Sequence, residues 1–189
     1  MTRAFALATK WHGSQVRKGN DDPYISHLMA VSALVIEYGG TQEQATAALL
    51  HDILEDTECT KDVLVTAVGQ EVADIVEACT HATIEKTGNA ETDFVQRKQL
   101  YIDHLLDPRL RESAAVLVAL ADKTHNAEST ARNWETSTKD PETFFNDYNG
   151  NFESQKWWYE SLVNVFTQSE MPEQLLDRFR IAVTTVFGS

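Results

Sequence analysis

The sequence predicts an all-α fold. Apolar residues recur at three- and four-residue steps along nearly all of the 189 residues. No segment alternates apolar and polar residues as a half-buried strand would. The boundaries carry helix punctuation: Gly39-Gly40, the box Thr41 to Gln44, and the stop Asp107-Pro108.

Taken in order, residues 2–12 read as a first helix, and Gly13 to Asp22 as a polar loop, basic and then acidic. Pro23 suits the first turn of a second helix, where it gives up no needed N–H. Tyr24, His27, Leu28, Val31, Leu34, Val35 and Tyr38 then form an apolar stripe that includes a histidine. Gly39-Gly40 ends that helix, and Thr41 to Gln44 opens a third, which carries His51-Asp52-Ile53-Leu54-Glu55-Asp56. Thr60 caps a short helix, and Gly69 divides it from another running to Ala82. Residues 83–92 form a loop, and a helix follows from about Thr92 to Leu106. The run Ala114 to Ala121 is apolar all round and turns abruptly to Asp122-Lys123-Thr124-His125-Asn126. The polar stretch 133–151 reads as a loop or lid, and helices over about 152–168 and 172–187 finish the chain. The expected organisation is one domain over 1–189, with a motif-bearing core at about 2–135 and C-terminal helices within about 141–187 packed on it. With 42% hydrophobic residues the chain can bury a real core.

Composition narrows the function. No apolar run is long enough to span a bilayer, and Met1 to Lys10 is too quickly polar for a secretory signal. Cys59 and Cys79 are the only cysteines, which fits a reduced, cytoplasmic setting, with Cys79 in the core. The formal net charge of −13 disfavours long nucleic acids, whose binding needs many cations. A small phosphorylated partner stays open, because a metal and a few local Lys or Arg residues can reverse the field inside one cleft. No feature sets an oligomeric state.

The run at 51–56 is the most informative segment. An imidazole and a carboxylate side by side can share a divalent metal, and one turn later come two more carboxylates. Residues four apart share a helix face, so His51 is expected under Glu55 and Asp52 under Asp56. Metal ligands beside acid/base groups suit metal-assisted hydrolysis. The flanking Ala45, Ala47, Ala48, Leu49, Leu50, Ile53 and Leu54 bury this helix, and buried charge needs compensation that a cation supplies. The plainer alternative is a solvated, charged helix end. Asp122 closes another buried segment and suits a fourth ligand beside His27, His51 and Asp52, with Asn126 on the same face. Two nitrogens and two oxygens suit Mn²⁺, Fe²⁺, Co²⁺ or Zn²⁺.

This pattern resembles the HD-domain metal phosphohydrolases. Arg17-Lys18, Pro23 to His27, Ala47 to Thr57 and Leu120 to Asn126, in that order, are similar to blocks of the RelA/SpoT hydrolase domain and the small alarmone hydrolases. The Glu55-Asp56 pair is the most diagnostic, since a generic member need not carry it. The resemblance implies a helical bundle with a central Mn²⁺ held by His27, His51, Asp52 and Asp122. It implies that Glu55 and Asp56 position and deprotonate water, that Arg17 covers guanine, that Lys18 lies near phosphate, that Asn126 contacts the nucleoside and that Tyr24 shapes the pocket. The implied reaction removes the 3′-pyrophosphate of guanosine 3′,5′-bis(diphosphate), giving GDP or GTP and pyrophosphate. Another nucleotide (an adenine alarmone, a nucleoside monophosphate or NADPH) or a non-catalytic nucleotide-binding module are the alternatives.

The sequence also departs from the family. The spacer Gly19-Asn20-Asp21-Asp22 is long, Glu128 stands where a basic residue is common, and Thr80-His81 replaces a commoner Thr-Lys. These changes touch the nucleotide end, not the metal or the water. His12, His81, His104 and His125 read as structural or surface, His125 being nearest the site. Phe144, Phe145, Tyr148, Phe152, Trp157, Trp158 and Tyr159 read as core, with some of them able to close over a cleft.

Overall fold

A computed structural model describes residues 1–18, 21–80, 83–111, 113–146 and 148–188. His81, Ala82 and the spacer residues Gly19 and Asn20 lie outside the described residues. Among those described, the chain is a compact bundle of helices whose one extended pairing is a single bridge, Val16 with Pro23. The first half holds α1 (Thr2–His12), α2 (Tyr24–Glu37), α3 (Gln42–Ala48), α4 (Ile53–Asp56), α5 (Lys61–Val68) and α6 (Gln70–Cys79). The second holds α7 (Ala90–Leu106), α8 (Pro108–Arg111), α9 (Ala115–Thr136), α10 (Pro141–Phe145), α11 (Phe152–Thr167) and α12 (Glu173–Phe187).

The axis of the bundle is α9. Every residue from Ala115 to Thr124 is buried, which an all-apolar run followed by paired polar groups permits. It packs against α2, α3, α6, α8 and α12, while α11 joins α7 to α12. The Ser32 hydroxyl on α2 donates to the Ala45 carbonyl of α3 at 2.8 Å, tying together the two helices that flank the histidines. Between them the chain turns at Gly39, whose φ is 84°. Gly40 has no room for a side chain: a Cβ there would stand 2.7 Å from the Val35 carbonyl oxygen. The expected box at Thr41 is present, with the Gln44 N–H donating to the Thr41 hydroxyl and the Gln44 side chain accepting from the Thr41 N–H.

Three boundaries differ from expectation. Pro23 precedes α2 rather than joining its first turn, with an extended ψ of 133°. The third helix does not carry the run 51–56: α3 ends at Ala48, and residues 49–52 form a tight turn before α4. The Leu50 and Ile53 N–H groups reach only three residues back, to Ala47 and Leu50. The Ala48 carbonyl, which a continuing helix would give to the Asp52 N–H, instead accepts from the His51 ring at 2.8 Å. His51 therefore does not stack under Glu55 on a continuous helix, whereas Asp52 and Asp56 keep their one-turn relation through the bond from the Asp56 N–H to the Asp52 carbonyl. Finally, 133–151 is not a plain loop. Helix α9 runs on to Thr136 with its polar residues outward, and Asp140 caps α10 by accepting from the Thr143 N–H at 3.0 Å.

Both cysteines are buried free thiols. Among the described residues, no helix is long and apolar enough to cross a membrane.

Candidate metal centre and its cleft

Helix α2 turns His27 inward, the turn after α3 delivers His51 and Asp52, and the buried stretch of α9 delivers Asp122. His27, His51 and Asp122 are each under 5% exposed, at 1%, 4% and 4%. Each offers one ligand atom, and the three atoms lie within 4.8 Å of one another. The Asp122 Oδ1 atom is 3.2 Å from His27 Nε2 and 3.4 Å from His51 Nε2. Asp52 stands at the rim of this trio, its Oδ2 2.9 Å from His51 Nε2 and 3.7 Å from His27 Nε2.

The donor set fits a cation. A carbonyl can only accept, so the His51 Nδ1 that bonds the Ala48 carbonyl carries the proton. That leaves the His51 Nε2 lone pair facing the carboxylates. Both Nε2 atoms, of His27 and His51, are buried with no hydrogen-bond partner among the described residues. Two orphaned nitrogens and two carboxylates around one point leave buried charge that a divalent ion neutralises. Without an ion the ring of His51 takes up the imbalance. Burial works against its charged form, but Asp52 and Asp122 outweigh burial and hold it well above the ordinary imidazole range. Burial likewise opposes the charge of Asp122, and Lys123 and His51 override it, so this carboxyl stays well below its usual range.

The carboxylates are held from outside the trio. Lys123 Nζ donates to Asp122 Oδ2 at 2.6 Å, and Asn126 Nδ2 donates to Asp122 Oδ1 at 2.6 Å. Arg17 Nη2 donates to Asn126 Oδ1 at 2.7 Å, and its guanidinium lies 5.8 Å from the centre of the Tyr24 ring. The Tyr24 hydroxyl donates to Asp52 Oδ2 at 2.6 Å. The loop bearing Arg17 is pinned by the bonds from the Arg17 N–H to the Asp22 carbonyl and from the Tyr24 N–H to the Gln15 carbonyl, each 2.9 Å.

Above the trio opens a cleft of about 670 Å³. Arg17, Lys18, Tyr24, Asp52, Glu55, Asp56, Asp122 and Asn126 line it, so the fold gathers these eight sequence-selected residues over the two buried histidines. Asp56 is pushed up to about 6 by burial, then by Asp52 and Glu55.

Sequence reasoning missed the opposite wall. Arg97 and Lys98 of α7 face the cleft with Lys123. Lys98 Nζ lies 4.4 Å from the centre of the Trp158 ring, within cation–π range. Burial, Lys123 and Arg97 push Lys98 down to about 7. The signal was available: two cations stand on the same side of α7 as the buried Phe94 and Tyr101, three or four residues from each. Tyr148, Trp158 and Tyr159 also line the cleft, so part of the aromatic C-terminal segment does close over it.

Of the remaining histidines, His12 is buried and bonds Gln15, and His104 bonds the Ala78 carbonyl. His125, expected nearest the site, is half-buried beside it, its Nδ1 2.9 Å from His27 Nδ1. Glu128 does not line the cleft. It is paired with Arg178 of α12 by two bonds of 2.8 and 3.0 Å, which absorb its charge.

Comparison with known proteins agrees with this geometry. A model of the HD domain matches residues 4–144, and the chain belongs to that family. Among curated relatives it is 34% identical over 124 residues to a probable GTP pyrophosphokinase of Mycobacterium leprae, and 31% identical over 125 residues to a probable guanosine-3′,5′-bis(diphosphate) 3′-pyrophosphohydrolase of Synechocystis. Each match covers 66% of this chain but only 15% and 16% of those longer proteins. A solved structure of a metazoan SpoT orthologue, described as hydrolysing ppGpp, superposes with a TM-score of 0.69 at 25% identity, covering 94% of this chain and 92% of that one. The lmo0812 protein of Listeria monocytogenes shares the fold, with a TM-score of 0.70 at 24% identity, over 91% of this chain and 99% of that one. The chain is thus an HD-domain protein related to the RelA/SpoT hydrolase domain.

Proposed function

We propose that this chain is a Mn²⁺-dependent hydrolase that removes the 3′-pyrophosphate from guanosine tetra- or pentaphosphate. One observation carries the reading. Two buried imidazoles with orphaned nitrogens meet two carboxylates beneath a cleft that has acids on one wall and cations on the other. The similarity to a ppGpp-hydrolysing orthologue over nearly the whole chain supports the substrate.

In this reading His27, His51, Asp52 and Asp122 hold the ion, which supplies Lewis acidity toward phosphate and water when bound. Asp56, and Glu55 beside it, take the proton from the attacking water. A carboxyl that titrates at about 6 is ionised at neutral pH yet basic enough to accept that proton. The water oxygen bonds the phosphorus attached to the 3′ oxygen, that P–O bond breaks, and the 3′ oxygen leaves and gains a proton. The products are GDP or GTP and pyrophosphate. Lys98, Arg97 and Lys18 offset the phosphate charge that a chain of net charge −13 otherwise repels. Arg17, Tyr24 and Asn126 form the nucleoside end.

A panel of guanosine tetraphosphate, an adenine alarmone, a nucleoside monophosphate and NADPH, incubated with stripped and Mn²⁺-restored protein, tests the reading. Metal-dependent release of pyrophosphate from the guanosine substrate is expected. Orthophosphate from another nucleotide alone, or binding without turnover, overturns it.

Three variants probe the cleft walls. Nucleotide affinity should fall as the pH rises through about 7, because Lys98 then gives up its positive charge. Lys98→Met should lose roughly tenfold or more at lower pH, the worth of a hydrogen bond to a charged group, and flatten this pH dependence. Arg17→Ala should weaken nucleotides and spare a small generic phosphoester. Arg17→Lys should resemble the alanine variant, because an ammonium offers no flat face. Equal losses on both substrates would reduce Arg17 to a support for Asn126, which it already bonds.

A further inference from the structure

Both proposed imidazole ligands need the same tautomer, with the proton on Nδ1 and the lone pair on Nε2, but they obtain it differently. For His51 the backbone decides, since the Ala48 carbonyl accepts from Nδ1 and can do nothing else. For His27 the partner is another imidazole. Its Nδ1 lies 2.9 Å from His125 Nδ1, and a hydrogen bond between two such nitrogens contains one proton. If His27 donates, its Nε2 lone pair faces Asp122 Oδ1 at 3.2 Å and the centre can hold a cation. If His125 donates, the neutral His27 carries its proton on Nε2, pointing at the position the cation must take. The two arrangements differ in the tautomer of both rings, with the second proton on His125 Nε2 in the first and on His27 Nε2 in the second, so the tautomer of His125 decides whether His27 can be a ligand.

The geometry ties this choice to the carboxylate. Asp122, His125 and Asn126 follow one another within a single turn of α9, so one rigid element presents the Asp122 oxygen to one edge of the His27 ring and the His125 nitrogen to the other. The His27 and His125 rings are 4.9 Å apart and tilted by 41°, an in-line approach of nitrogens rather than a stack.

We infer that His125 is a positioning residue: by accepting the His27 Nδ1 proton at its own Nδ1, it fixes the tautomer and ring angle that let His27 bind a divalent cation. The inference rests on the metal reading above and adds a residue to it. His125 is not among the residues lining the cleft, and its effect passes through His27.

Two variants separate a hydrogen-bond role from a packing role. His125→Phe keeps a flat ring and removes the acceptor. His125→Asn places an amide oxygen near the position of the lost Nδ1. The readout is Mn²⁺ affinity by competition with a chelator on the full chain, with a melting curve of each metal-free protein as a folding check. The phenylalanine variant should bind Mn²⁺ about 10- to 100-fold more weakly, the usual cost of losing a group that orients a ligand. The asparagine variant should recover most of that loss. Unchanged affinity in folded His125→Phe overturns the inference, as does an equal loss in both folded variants. A wild type that binds no divalent ion overturns the metal reading together with this one. A second measurement needs no variant: ¹⁵N shifts of the histidine rings in the Zn²⁺-loaded wild type. Protonated Nδ1 on His27 with unprotonated Nδ1 on His125 is expected; the reverse overturns the assignment.

Discussion

Asp52→Ala and Asp122→Ala should both abolish metal binding and turnover, and Asp122→Ala should destabilise the protein more. The difference lies in burial and in what each substitution strands. Asp52 is the more open of the two, with a side chain 19% exposed against 6% for Asp122. Its loss removes a hydroxyl bond from Tyr24 that water can replace and the contact with His51 at 2.9 Å, after which that ring can shed its proton and become neutral. Asp122 pairs with Lys123, whose Nζ sits 2.6 Å from its carboxylate in the interior of α9. Burial works against the charge of Lys123, and Asp122 is the main group that keeps it protonated. Removing one member of such a pair costs about 3–5 kcal/mol, because the other is left buried and unpaired. The pH dependence has a definite sign. Asp122 is held below its unfolded value, so its stabilisation is present above the ordinary carboxyl range and is lost as the pH falls through its folded value. Metal analysis, a turnover assay and denaturant melts of both variants check this. A metal-replete, active Asp52→Ala would remove Asp52 from the ligand set. An Asp122→Ala as stable as the wild type would mean that Lys123 finds another partner.

Glu55→Gln and Asp56→Asn should separate binding from chemistry. Each keeps size and polarity and loses only basicity. Metal and nucleotide should still bind, while turnover falls by roughly 10²-fold or more, the scale of general acid–base catalysis. Asp56→Asn should have the larger effect, because burial and two neighbouring carboxylates raise its proton affinity and make it the better base. In the wild type, activity should fall as the pH drops through about 6, where Asp56 takes up its proton, and that limb should vanish in Asp56→Asn. Unchanged turnover in both variants would make the pair structural.

Much of this arrangement was legible in the sequence. Helix spacing placed His27 on a buried stripe, and the cap and glycine signals bounded α2 at both ends and α3 at its start within a residue or two. The ten selected residues converge because long-range order in a helical bundle follows from which faces are apolar. The turn at 49–52 was not legible. Its residues are all good helix formers or ligands, and the break comes from the ring of His51 capturing the Ala48 carbonyl, a competition that propensity does not encode. The length of α9 was hidden for the opposite reason, since its polar final turns look like loop until the solvent-facing side is known. Arg97 and Lys98 were passed over because cations on an amphipathic helix usually face water, and only the packing of α7 against α11 brings them to the cleft. The Glu128 departure proved local, answered by Arg178 at a distance of 50 residues in sequence.

The most direct test follows the oxygen of the attacking water. Mn²⁺-loaded protein turns over guanosine tetraphosphate in isotopically heavy water, and the products are weighed by mass spectrometry. Attack on the phosphorus joined to the 3′ oxygen predicts one heavy oxygen in pyrophosphate and none in GDP, with the reaction lost on chelation and restored by Mn²⁺. Heavy oxygen in GDP, release of orthophosphate in place of pyrophosphate, or turnover indifferent to the metal would contradict the account.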